Sequence, residues 1–123
     1  MKRMIVRSGN KIFPSNIENL ILSNEMIEQI AIVQMENDKE RHVPVAHIVI
    51  KEEFSGLEEL IVEKLEKLIK ENMPEHCIPY MYIFRNDLPL TGLQKIDFKK
   101  IEKESFNSCM YNNSSLHFGY IVK

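Results

Sequence analysis

Leu57, Leu60, Ile61, Leu65, Leu68 and Ile69 recur at three- and four-residue steps, with glutamates and lysines between them. That stripe predicts an amphipathic helix with a single face to bury, so the chain around it has to supply a second layer. Ser55 and Glu58 stand three residues apart, the spacing of a capping box, and place the helix start at Ser55. Pro74 disfavours helical backbone at Met73, so the helix should stop there.

The segments on either side read as extended. Residues 29–35 are rich in Ile, Ala and Val, and residues 43–51 alternate Val45, His47, Val49 and Lys51 against Ala46, Ile48 and Ile50. The polar run 36–40 between them predicts an antiparallel pair. A third strand is expected at 80–84, after Pro79. Near the N-terminus, residues 4–13 read as two short strands around the turn signal Ser8-Gly9-Asn10. Ser15 and Glu18 form a second capping-box pattern, followed by Ile17, Leu20 and Ile21 at helical spacing and Asn24 as a stop. Asp97 is placed to cap a last helix through about Ser105. The order is ββαββαβα, an α+β fold with a small antiparallel sheet of about three strands flanked by helices and preceded by a hairpin. Residues 1–106 form the domain. Residues 107–123 are an extension with a polar start and an apolar end at 116–122 that can add an edge strand.

At 123 residues the chain is long enough for one core without staples. Sixteen Lys and Arg against eighteen Asp and Glu give a net charge of −2, which argues against a nucleic-acid footprint. No apolar run reaches the roughly 20 residues of a membrane helix, and Arg7 interrupts any signal-peptide stretch. A cytoplasmic protein with no membrane or nucleic-acid partner is expected. Cys77 and Cys109 lack CxxC spacing, and His42, His47, His76 and His117 share no ligand spacing, so no metal site is expected. His47 reads as a sheet-face residue and Cys77 as a small buried hydrophobe. No phosphate-binding glycine motif is present, so a nucleotide site would not be self-contained.

Two motifs remain. Residues 2–18, from Lys2-Arg3-Met4-Ile5-Val6-Arg7-Ser8-Gly9-Asn10-Lys11 to Ile17-Glu18, resemble the motif that opens the C-terminal domain of adenylate-forming enzymes. These are the acyl-CoA synthetases, the adenylation domains of nonribosomal peptide synthetases and the luciferases. Leu88-Pro89-Leu90-Thr91 through Lys95-Ile96-Asp97-Phe98-Lys99-Lys100 resembles the same domain's closing motif, and the resemblance runs from Lys2 to about Phe106.

The resemblance implies a lid that serves a large N-terminal adenylation domain, in cis or in trans. Such enzymes activate a carboxylic acid with ATP and Mg, then pass the acyl group to coenzyme A or a carrier pantetheine, with the lid rotating between steps. Lys95 matches the lysine that reaches the acyl carboxylate and the α-phosphate. Lys2 falls at the hinge. Ser8 and Gly9 lie on the loop that lines the pantetheine channel, and Lys11 matches a basic position near the nucleotide phosphate. The Leu-Pro-Leu-Thr run looks more like an acyl-CoA synthetase than a peptide synthetase. The other reading is a non-catalytic stand-alone binding module or relic of such a ligase. The family nearly always has glycine before the lysine, where this chain has Gln94 and carries Gly92 instead. If that position needs positive φ, a non-glycine residue costs about 1–2 kcal/mol.

Overall fold

The computed structural model describes residues 3–106 and 116–121. Lys2, the expected hinge residue, and residues 107–115, with Cys109, lie outside them. The chain opens with a hairpin of β1 (Ile5–Arg7) and β2 (Asn10–Ile12), followed by α1 (Pro14–Leu22). Next come β3 (Ile27–Asn37), β4 (Arg41–Ile50), α2 (Glu58–Asn72), β5 (Met81–Arg85), α3 (Phe98–Phe106) and β6 (Leu116–Ile121). The α+β class and, over residues 5–106, the ββαββαβα order are as expected from the sequence, and β6 follows in the apolar end of the extension.

β4 is the spine of the sheet. It pairs with β3 antiparallel over its whole length, from Arg41 opposite Asn37 to Ile50 opposite Ile27. On its other side Arg41 meets Arg7 of β1, and residues 45–48 pair with residues 81–84 of β5. β6 pairs antiparallel with β5 and forms the outer strand on that side.

The β4–β5 pairing is parallel. That departs from the antiparallel sheet expected from the sequence. Antiparallel neighbours can be joined by a tight turn, whereas here α2 carries the chain back across the sheet before β5 begins, as a parallel pair requires.

The sheet separates two layers. Ile30 and Ile32 of β3, Ala46, Ile48 and Ile50 of β4, and Tyr82 and Phe84 of β5 pack against Ile17 and Ile21 of α1 and Ile61, Leu65 and Ile69 of α2. On the opposite face Ala31, Val33 and Val49 pack against Leu88 and Ile101, with Ile96 and Phe98 at the edge. The period-two alternation of β3 and β4 decides which side chain meets which layer. The alternation read in residues 43–51 matches the two faces of β4, with Ala46, Ile48 and Ile50 toward α1 and α2 and Val49 on the opposite face.

Both expected capping boxes are absent. Pro14 has a preset φ and no N–H to satisfy, so it starts α1 one residue ahead of Ser15, and the N-cap is Phe13 with no side-chain cap. Glu18 is thereby freed from capping and is buried, accepting the Ile32 N–H at 2.8 Å. Before α2, Ser55 and Gly56 belong to the preceding turn, Gly56 has φ +91°, and the N-cap is Leu57. Glu58 and Glu59 in the first turn of α2 complement the helix dipole instead. The Asp97 cap is present, with the Lys100 N–H donating to its Oδ1 at 3.1 Å. Among the described residues, no helix is long and apolar enough to cross a membrane.

His47 is 1% exposed on the α3 side of β4, and its Nδ1 lies 3.5 Å from a guanidinium nitrogen of Arg85. Burial first, and the Arg85 charge second, push its pKa down to about 3. In the unfolded chain the imidazole gains its proton near pH 6.5, while in the fold it stays neutral. This contribution to stability is complete above pH 6.5 and is lost as pH falls toward 3. Between pH 7 and pH 4 the loss amounts to about 3 kcal/mol. Urea unfolding of His47→Gln should show a correspondingly flatter stability decline over that interval.

Candidate functional site

Lys95 sits on a tight hairpin. Leu90 and Ile96 form an isolated antiparallel bridge. The Thr91 N–H donates to the Lys95 carbonyl at 2.7 Å, and the Gln94 N–H donates to the Thr91 carbonyl at 3.0 Å. Thr91 Oγ1 also accepts the Leu93 and Lys95 N–H groups at 3.2 and 3.3 Å. The Asp97 N–H donates to the Pro89 carbonyl at 2.8 Å and closes the base. This pattern is a three-residue hairpin loop in which a turn is followed by one left-handed residue.

The left-handed residue is Gln94, with φ 63°. Glycine normally fills that place because it has no Cβ to crowd the backbone. The glycine present, Gly92, does not have a positive φ, and a Cβ there would meet nothing within 4 Å. The glycine has thus moved to a position that does not need it. Lys95 itself is exposed, and among the described residues no hydrogen bond or ion pair engages its ammonium.

Ser8 and Gly9 occupy the turn between β1 and β2, with φ of 49° and 83°. Two positive φ values in succession mark the type I′ turn, whose twist matches a two-residue hairpin. A Cβ on Gly9 would meet nothing within 4 Å, so backbone conformation alone accounts for glycine within this chain. Lys11 is exposed on β2, opposite Val6.

Arg7 locks this turn in place. Its Nε donates to Glu40 Oε1 at 2.9 Å, and its Nη1 donates to the carbonyls of His76 and Ile78 at 3.1 and 2.8 Å. The Ser8 N–H donates to the Glu40 carbonyl at 3.1 Å. Arg7, Ser8, Asn10, Glu40, Glu75 and His76 line an open cleft of about 380 Å³. Cys77, beside it, is half-buried; burial pushes its thiol up and the Arg7 charge opposes that in smaller measure. The sequence marked Ser8, Gly9 and Lys11 but not Arg7, whose only signal was a basic residue at the strand end.

The two loops are separate. Ser8–Gly9 is fixed at the Arg41 end of β4. The Lys95 hairpin is held through Leu88, Ile96 and Phe98 on the face of β3 that carries Ala31 and Val33. Among the described residues no hydrogen bond or ion pair links them.

Residues 16–95 match the family described as AMP-binding enzyme C-terminal domain. The chain belongs to that family. It is similar to the 2-succinylbenzoate–CoA ligase of Listeria innocua, 31% identical over 104 residues that cover 85% of this chain and 21% of the ligase. It is also similar to bacitracin synthase 1 of Bacillus licheniformis, 30% identical over 93 residues that cover 76% of this chain and 2% of the synthase. Its fold is that of part of a Brucella canis acyl-CoA synthetase, with a TM-score of 0.76 and 25% identity over 84% of this chain and 19% of that one. This AMP-binding enzyme C-terminal domain therefore spans about a fifth of the length of the CoA ligases it matches.

Relief of the left-handed strain and the greater unfolded-chain freedom of glycine oppose each other, so Gln94→Gly should change stability by no more than about 1 kcal/mol. Gln94→Val, with a β-branched side chain at the same φ, should destabilise by about 1 kcal/mol or more. Thermal unfolding of the two variants beside the parent checks the assignment of φ at this position.

Proposed function

We propose that this chain is the C-terminal catalytic lid of an ATP-dependent acid–CoA ligase, working on an N-terminal adenylation domain supplied in cis or in trans. The observation that carries this reading is the Lys95 ammonium. It is exposed at the end of a pinned hairpin and engaged by nothing among the described residues, as a lysine aimed at another domain's ligand should be.

In the first step a carboxylate oxygen of the acid attacks the α-phosphorus of ATP and pyrophosphate leaves. Negative charge accumulates on the α-phosphate oxygens, and a lysine ammonium placed there stabilises it at the moment it develops. Lys11 offers a second cation to the nucleotide phosphates from β2. In the second step the thiol of coenzyme A, or of a carrier pantetheine, attacks the acyl carbonyl and AMP leaves. Ser8 and Gly9 belong to that step, where the open space over Gly9 gives room to a narrow ligand. Among the described residues no group of three or more His, Cys, Asp and Glu could hold a metal, so Mg would travel with ATP on the partner domain. Lys2 serves as the hinge. The separation of the Lys95 and Ser8–Gly9 loops suits a lid that presents one face per step.

Gln94 favours a second reading, a non-catalytic binding module or relic of such a ligase, because a left-handed position that glycine fills at lower cost carries glutamine.

Acid-dependent ATP–pyrophosphate exchange with the adenylation domain supplied separates the two. Lys95→Ala should reduce exchange by about 100- to 1,000-fold, and full exchange in this variant would sink the role given to Lys95. A parent chain that supports no exchange, and gains none through Gln94→Gly, is a relic. Gly9→Leu should leave exchange intact and slow thioester formation, as read by product release in the presence of coenzyme A.

A further inference from the structure

Arg3 makes a set of contacts to which neither the resemblance nor the site above gives a role. Its guanidinium forms a two-pronged ion pair with the buried Glu18 carboxylate of α1, with Nη1 to Oε2 at 2.9 Å. The same Nη1 donates to the Ile32 carbonyl of β3 at 3.3 Å. The central carbon of the guanidinium lies over the Phe98 ring, 3.7 Å from Cζ to the ring centroid. Phe98 begins α3, one residue after Asp97, whose N–H closes the base of the Lys95 hairpin. Ile96 and Phe98 both pack on the cluster of Ala31, Val33, Val49, Leu88 and Ile101.

We propose that Arg3 is a positioning residue, which ties the chain entering the domain to the base of the Lys95 hairpin by clamping Phe98 against the Glu18–Ile32 edge. From Arg3 onward the entering segment moves with the sheet, so any rotation of the domain about the chain before Arg3 carries the Lys95 ammonium with it as one body. A guanidinium suits this task better than an ammonium. It presents a planar fork to the carboxylate while its face lies on an aromatic ring, and a lysine can do only one of these well. The clamp stands on the contacts alone. Its consequence for adenylation rests on the ligase reading above.

Amide hydrogen exchange on the chain itself tests the clamp. Arg3→Met keeps most of the side-chain volume and removes the charge, and Phe98→Leu removes the ring while leaving the Arg3–Glu18 pair. Both should speed exchange of the Thr91, Gln94 and Asp97 amides by about tenfold while leaving those of Ile83 and Phe84 in β5 unchanged. Arg3→Lys should give an intermediate effect. Hairpin amides that do not respond, or that speed up by the same factor as the β5 amides, overturn the proposal, since the first means no coupling and the second only a loss of global stability. With the adenylation domain supplied, Arg3→Met should lower exchange turnover without raising the apparent KM for ATP, and should add nothing in a Lys95→Ala background. Full additivity there overturns the link to Lys95. No pyrophosphate exchange by the parent chain would instead sink the ligase reading and leave the amide measurements to decide the clamp.

Discussion

The Glu18 carboxylate, held away from water between the Ile32 N–H and the Arg3 guanidinium, is the interaction on which the arrangement of this domain turns. β3 is long and pairs with β4 only, so its free edge carries backbone groups with no strand to meet them. An open edge of that kind costs desolvation where helices cover it and invites pairing with other chains where they do not. Here one side chain accepts the Ile32 N–H and another donates to the Ile32 carbonyl, which is what a neighbouring strand would have done. Because the edge is satisfied at that point, α1 can lie beside it on one face and the start of α3 on the other.

From that edge the rest follows by strand periodicity. Successive residues of β3 point into different layers, Ile30 and Ile32 toward α1 and α2, Ala31 and Val33 toward α3. The larger residues meet the two-helix layer, and the smaller ones leave depth for Leu88, Ile101 and the hairpin that precedes α3. The Lys95 loop is thus built on the α3 layer, while Ser8 and Gly9 hang from the sheet at the start of β4. One rigid sheet holding two loops in separate places is what the proposed lid needs if it is to serve two steps in turn by reorienting as a body.

Much of this could be read from the sequence because it depends on local periodicity. The alternation of 43–51 specified both faces of β4, and within the stripe from Leu57 to Ile69 the residues Ile61, Leu65 and Ile69 are buried, whereas Leu57 and Leu60 at the helix start stay exposed and Val62, outside the stripe, is buried. The capping boxes failed for a definite reason. Ser15 and Glu18 satisfy the spacing rule, but Pro14 moves the cap position two residues back, from Ser15 to Phe13, and a carboxylate beside an unsatisfied strand edge is stabilised more by that edge than by a helix terminus. The parallel β4–β5 pairing and the roles of Arg3 and Arg7 were not legible, since each depends on partners 15 to 95 residues away. Lys95 was singled out through the motif around it. The conformation of its neighbour could only be posed as a condition.

Gln94 meets that condition. In a tight three-residue hairpin the position before the closing pair has to turn left-handed whatever residue fills it, because the strands on both sides fix the path. Removing the glycine does not remove that requirement; it transfers about 1–2 kcal/mol of cost to whatever holds the loop. Thr91 takes up part of it, with its hydroxyl accepting two backbone N–H groups and its own backbone making two further bonds across the loop. Ile96 and Phe98 anchor the far leg in the α3 layer, and Arg3 stacks on Phe98 from outside. A loop so heavily determined by its surroundings can keep a strained residue without losing its shape. The geometry offered to Lys95 is therefore set by Thr91 and the α3 layer rather than by the identity of residue 94, and the missing glycine is by itself a weak argument that the lysine has lost its use.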